Sequence, residues 1–169
     1  MSEILNEVTR KHFDFLISDY GFKYHGFTDW GETLYVFEKL IIECTVDRII
    51  PIMVFKRSDE PDDYQVELGI VLEAFEIIPW EIFKQNLRKN SLEDNGKYIE
   101  KMFREISEIL IKQPEFWWLN AQKKKFEIEE NLNHEYGQDP TRSESYRRWY
   151  HYIKSNDPNW EAKYFIPKD

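Results

Sequence analysis

Between residues 22 and 70 one strand-like run follows another with only a few turn residues between them. A parallel sheet needs a crossover of a dozen or more residues between neighbouring strands, and no such segment exists here. The strands must therefore pair antiparallel, and helices can lie only before and after them. This order predicts an α+β fold: an N-terminal helix on an antiparallel sheet of three to five strands, followed by an all-helical C-terminal half. A chain of 169 residues suits one domain, which buries roughly 70% of its unfolded surface. Helix plus sheet would occupy residues 1–75, with a helical part over 76–169 packed on it.

From Phe22 to Arg57 β-branched and aromatic residues are broken by turn signals at "HGF", "WGE" and "VDR", which gives three strands, or four with a weak first one. In "LIIECTVD" the alternate residues Leu40, Ile42, Cys44 and Val46 are apolar, so one face is buried and Cys44 is a core thiol. The next run contains Pro51, which cannot donate a ladder hydrogen bond and belongs at a sheet edge or a bulge. After the polar loop "SDEPDDY", the stretch "YQVELGIVLEAF" fits a strand or a helix. A strand from Tyr64 that gives way before Glu73 is preferred.

Helical spacing marks the rest. Leu5, Val8, His12, Phe15 and Leu16 line one face of a helix over 3–19, which Gly21 ends, and His12 is read as a core histidine on that face. Pro79 opens a helix carrying Trp80, Phe83 and Leu87, which "SLEDNGK" breaks. Ile99, Met102, Phe103, Ile106 and Leu110 form the cleanest stripe, closed by Pro114. A weaker pattern over 115–135 has Trp117, Ala121, Ile128 and Leu132 on one side, interrupted by Lys123, Lys124 and Lys125. Asp139 and Pro140 make a cap and first turn for a last helix over 141–155.

That last helix carries "SESYRRWYHYIK", in which arginines stand beside aromatic rings as they do in proteins that grip single-stranded nucleic acid. Spacing separates the two. Tyr146, Trp149, Tyr150 and Ile153 share one face, while Arg147, His151 and Lys154 lie on another, so a buried stripe with an exposed basic face is expected, and no nucleic acid. Tyr152, one turn from Arg148, is the ring left outside and a candidate contact. Trp117 and Trp118 point about 100 degrees apart on a helix, so both are buried only if the helix is wrapped. Trp118 is thus a candidate partner anchor.

The acidic loop, with Asp59, Glu60, Asp62 and Asp63, lacks the spacing of a calcium loop, and Pro61 constrains its centre. It reads as solvated, or as a contact for a basic partner. Four dispersed histidines and one cysteine offer no zinc pattern, and the glycines form no phosphate loop. No metal, cofactor or catalytic residue is assigned. The N-terminus "MSEILNEVTRKHF" is acidic where a signal peptide is basic, and no apolar run is long enough for a membrane span, so a cytoplasmic address is expected. With 32 acids against 23 bases the net charge is −9, which repels polyanions and attracts basic surfaces.

The order of a helix ending in "DYGF", strands such as "LIIECTVDRIIPIMVFKR" and helices containing "NGKYIEKMFREISEIL" resembles small uncharacterised bacterial α+β proteins, some of which resemble immunity proteins found beside polymorphic toxins. The similarity covers roughly residues 10–112 and transfers no functional residue. It implies a non-catalytic protein that binds a basic partner such as a toxin domain. Such a partner would be steered by charge, since nuclease toxins are basic to hold their substrate. The alternative is an enzyme whose site is assembled from dispersed residues.

Overall fold

The computed structural model describes residues 1–168. Helix α1 (Ser2–Phe13) and the short α2 (Phe15–Tyr20) stand where one helix over 3–19 was expected. Asp14, between them, keeps a helical backbone and ties this end to the sheet: Tyr35 Oη donates to its Oδ1 at 2.9 Å, and Arg10 Nε donates to the same oxygen at 3.1 Å. Gly21 then ends α2 at φ 76°, a conformation open to glycine.

The buried face of this helix is rotated from the apolar stripe. Asn6, Thr9, Phe13 and Leu16 are buried, while Leu5, Val8, His12 and Phe15 are half-buried on its flank. Asn6 tolerates burial because Thr33 Oγ1 donates to its Oδ1 at 2.7 Å and its Nδ2 donates to Tyr24 Oη at 3.2 Å. Hydrophobic periodicity has no means of placing a satisfied asparagine inside.

The strands are β1 (Lys23–Phe27), β2 (Thr33–Phe37), β3 (Leu40–Asp47), β4 (Ile50–Arg57) and the two-residue β5 (Val66–Glu67), side by side in chain order and all antiparallel. Alternation in β3 is as expected, with Leu40, Ile42, Cys44 and Val46 buried. On the same face Tyr35, Met53 and Phe55 meet α1 and α5 (Leu92–Lys112). Pro51 lies in β4 opposite Val46, in the half of the strand that β5 does not reach, so one side of it is an edge.

The preferred strand over 64–72 is corrected. After a 3₁₀ turn at Asp62–Tyr64 and the short β5, helix α3 (Leu68–Ala74) begins. Leu68, Ile70, Val71 and Leu72 are all buried, and a segment buried all round carries no period to decide between strand and helix. Packing decides it: a Cβ on Gly69 would lie 2.7 Å from Phe83 Cδ1, so α3 seats against α4 (Trp80–Arg88) only with glycine there.

Helix α5 starts earlier than expected, because Ser91 caps it by accepting from Asp94 N–H at 3.2 Å, and "LEDNGK" forms its first turns. Gly96 in those turns lets His12 of α1 pack against the helix backbone; a Cβ there would overlap His12 Nδ1. Burial lowers the His12 imidazole, against a smaller upward pull from Glu93, with Lys11 also lowering it. The folded state therefore binds this proton less readily than the unfolded chain, and stability is lost as pH falls through the ordinary imidazole range near 6.5. The urea midpoint of the parent is expected to drop between about pH 7.5 and 5.5, and to drop less in His12→Gln. Equal drops in the two would remove His12 as the cause.

Helix α6 (Pro114–Glu135) carries Pro114 at its start and buries Trp117, Trp118, Ala121, Gln122, Phe126 and Glu130; Ile128 and Leu132, expected on that face, are half-buried. Asp139 caps a separate 3₁₀ turn, Pro140–Arg142, and Ser143 caps α7 (Glu144–Asn156), so Asp139 does not cap the last helix itself. On α7 Tyr146, Trp149, Tyr150 and Ile153 are buried as the spacing requires, with Phe126 of α6 4.4 Å from Tyr146 and 5.0 Å from Trp149 between ring centres. Arg147 and Lys154 are half-buried where exposure was expected; Lys154 Nζ donates to Trp160 O at 2.6 Å under the C-terminal tail. Among the described residues no helix is long and apolar enough to cross a membrane.

Candidate functional site

Arg57 closes β4 and organises the loop that follows. Its side chain is 8% exposed and makes a two-pronged bond to Asp59, Nε to Oδ1 and Nη2 to Oδ2, each 2.9 Å, while Nη1 donates to Glu115 Oε2 at 2.8 Å. Lys39, in the β2–β3 turn, lies 3.3 Å from Asp59. The Arg57 bond and the Lys39 charge hold the Asp59 carboxyl down at about 2 in spite of partial burial. Asp59 is therefore a structural ion-pair member and not the freely solvated carboxylate expected.

Asp63 is also engaged. Arg148 Nη2 donates to its Oδ2 at 2.7 Å across to α7, and although burial pushes this carboxyl up, the bonds from Arg148 and Ser145 prevail and leave it below the usual range. From beneath, Lys125 Nζ donates to the carbonyls of Asp63 (2.9 Å) and Gln65 (2.6 Å), and Gln122 Nε2 donates to Tyr64 O at 2.6 Å. The loop is thus fastened to β4, α6 and α7.

Glu60 and Asp62 make no salt bridge among the described residues. Burial raises the Glu60 carboxyl, and the neighbouring Asp59 charge adds to the rise. Beside it, Tyr152 leans on Tyr64 with ring centres 5.1 Å apart; burial, then the Glu60 charge, push its phenol up to about 12. Tyr152 is half-buried, so it borders the acidic loop without projecting from it.

Trp118 is corrected from surface anchor to core. Both Trp117 and Trp118 are 1% exposed, because α6 is covered on two sides: Trp117 meets Phe55 edge-on at 5.6 Å, and Trp118 lies under the Arg57 guanidinium, 5.9 Å from its ring centre. The six candidate residues from the sequence thus share one neighbourhood, with Asp59, Glu60, Asp62, Asp63 and Tyr152 above and Trp118 below. Arg57, Glu115, Lys125 and Arg148, which assemble it, gave no local signal, since every side-chain bond they make here except Arg57 to Asp59 spans 58 residues or more.

Next to the loop, Asp63, Glu129, Asn133, Ser145, Tyr146 and Trp149 line a cavity of about 360 Å³ between α6 and α7. Burial raises the Glu129 carboxyl and lowers the Lys125 amine one turn away, each partly offset by the other's charge. Tyr146 Oη and Trp149 Nε1 are buried without a hydrogen-bond partner among the described residues. Among these residues no group of three or more His, Cys, Asp or Glu side chains is placed to hold a metal ion. His134 stacks on Tyr164 with ring centres 4.2 Å apart, which is a packing role at the end of α6.

No protein family matches this chain, and no curated protein or solved structure is detectably similar to it.

Proposed function

We propose that this chain is a non-catalytic binding protein of the toxin-immunity type, acting in the cytoplasm on a basic protein partner through the loop at 58–63 and the adjoining side of α7. The observation that supports the reading is the pinning of the loop. Arg57, Lys125 and Arg148 consume Asp59 and Asp63 and the carbonyls beneath them, and so hold Glu60 and Asp62 in place without cationic partners of their own. A contact ordered in advance loses little entropy on binding. The net charge of −9 adds a field that speeds encounter with a basic surface.

The four loop carboxylates are not equivalent in this reading. Glu60→Gln with Asp62→Asn removes the two unpaired charges and leaves the fastening intact, so association should slow several-fold at low salt and its salt dependence should flatten. Asp59→Asn with Asp63→Asn weakens the ties to Arg57 and Arg148 while Lys125 and Gln122 still hold the loop carbonyls, so the loop is loosened and dissociation should quicken instead. The experiment is a binding screen against the proteins encoded beside this chain's gene, followed by association rates against ionic strength for the parent and both pairs. A basic partner with this split is the expected result. If no neighbour binds, or if the one that binds is indifferent to salt and to Glu60 and Asp62, the reading is withdrawn.

The enzyme reading has one observation in its favour, the Glu129 and Lys125 pair with opposed shifts beside a cavity. Lys125 is already committed to two carbonyls of the loop, which makes a structural role the simpler account.

A further inference from the structure

Strands of a sheet with one wet face alternate apolar and polar residues, whereas strands covered on both faces read as near-continuous apolar runs. The run "IIPIMVF" over 49–55 is of the second kind. Its alternate residues Pro51, Met53 and Phe55 are buried, on the face that α1 and α5 cover. Ile52 and Val54 point the other way and are only half-buried.

The register shows what surrounds them. Val36 lies opposite Ile41, and Ile41 opposite Lys56; one step along the sheet, Leu34 lies opposite Glu43, and Glu43 opposite Val54. Paired residues share a face, so Leu34, Val36, Ile41, Ile52 and Val54 form one aliphatic patch across β2, β3 and β4, every member of it half-buried. On β1 the residue opposite Leu34 is Gly26, where a Cβ would meet nothing within 4 Å, so the patch stands open on that side. Aliphatic side chains contiguous on three strands and open to solvent mark a contact surface.

Charge decides what covers it. Within the patch Lys56 and Glu43 are paired at 2.7 Å. Lys23, opposite Val36, stands at the β1 edge, and Glu67, opposite Val54, at the β5 edge; both are exposed, and neither makes a salt bridge among the described residues. Asp47, at the far end of β3, is followed by Arg48 in the turn. Bases and acids thus balance on this face, in a chain whose net charge is −9. A second copy, which the acidic surfaces repel, meets no repulsion here, while a strongly basic or acidic partner gains no attraction. A two-fold axis along the strands, midway between two such faces, also sets the Lys23 edge of each copy over the Glu67 edge of the other.

We infer that this outer face of the sheet is closed by the same face of a second copy of the chain. The two sheets lie about 10 Å apart with their helices outward, the aliphatic residues of both interdigitate, and Lys23 of each chain faces Glu67 of the partner subunit. No residue of the loop at 58–63 belongs to this face, so the inference does not rest on the function proposed above.

Sedimentation equilibrium of the full chain over a wide range of concentration tests it. The parent should show a monomer and dimer in exchange. Ile41→Glu puts a charge at the centre of the patch, next to Lys56 in the folded monomer, and should weaken association by more than about tenfold. Lys23→Glu alone sets acid against acid and should weaken it several-fold, most at low salt, whereas Lys23→Glu with Glu67→Lys exchanges the two charges and should restore it. Lys23 and Glu67 are surface side chains, so this pair decides the matter even if Ile41→Glu fails to fold. A parent that stays monomeric throughout would overturn the proposal. So would a dimer indifferent to a folded Ile41→Glu, or a double exchange that associates no better than the single reversal.

Discussion

Phe103→Ala is expected to lower the unfolding free energy by about 3–5 kcal/mol, the range for removing a fully buried phenylalanine. Phe103 is 0% exposed and stands where the N-terminal helices, the sheet and α5 meet: Phe15 lies at 5.7 Å, Tyr20 at 5.1 Å, Phe22 at 6.4 Å and Phe55 at 6.4 Å between ring centres. Truncation leaves a cavity walled by rings from α2, β4 and the link before β1, none of which can collapse without moving its backbone. Against a total stability of roughly 5–15 kcal/mol this is a large share. Urea unfolding should show a lower midpoint at an unchanged slope. Trp30→Ala is the matched control, since that ring is 85% exposed and its loss should stay within about 0.5 kcal/mol. A Phe103 cost no larger than that of Trp30 would mean that α5 is not seated on the sheet as described.

Phe103 also shows what a sequence discloses. It sits on the stripe of Ile99, Met102, Ile106 and Leu110, and all five are buried, because a long helix with one apolar face has one way to bury it. The sheet was readable for a related reason: short gaps between strand-like runs forbid crossovers, whatever the tertiary packing. Reading failed where burial and polarity part company. Asn6 is inside α1 because its partner on the sheet is Thr33 and not an apolar side chain, Thr9 is buried beside it with no partner for its hydroxyl among the described residues, and His12 is at the flank against α5. It failed again where a segment is buried all round, as in α3, and at Trp118, whose covering guanidinium comes from a strand far away in sequence. The candidate surface was half legible. Its carboxylates stand together in "SDEPDDY", but which of them are spent on Arg57 and Arg148 depends on contacts from β4 and α7. Lys125, read as an interruption of a helical stripe, is the cation beneath the loop.

The second large effect is expected at a residue with no sequence signal. Glu130 is 1% exposed inside α6, and its two oxygens accept the main-chain N–H groups of Lys163 and Phe165, each at 2.8 Å. It latches the C-terminal tail to α6, where Tyr164 stacks on His134 and its hydroxyl donates to Asn131 Oδ1 at 3.2 Å. Upstream, Trp160 packs against Phe126 at 5.1 Å and Tyr150 at 5.6 Å. Hydrogen bonds to a charged acceptor contribute about 1.5–3 kcal/mol each, but a tail that loses them is free to leave and be hydrated. The loss in Glu130→Ala is therefore capped by the docking energy of the tail, at about 2–3 kcal/mol, and not by the sum of the two bonds. Hydrogen exchange at Lys163 and Phe165 should accelerate to the rate of an unfolded chain, and a protease should clip the tail while the sheet amides stay protected. Glu130→Gln separates charge from shape: it keeps one acceptor but turns an NH₂ toward the other N–H, so one of the two tail amides should lose protection while the other retains part of it. Tail amides as well protected in Glu130→Ala as in the parent would show that the aromatic contacts alone hold the tail, and that the buried carboxylate is retained for another reason.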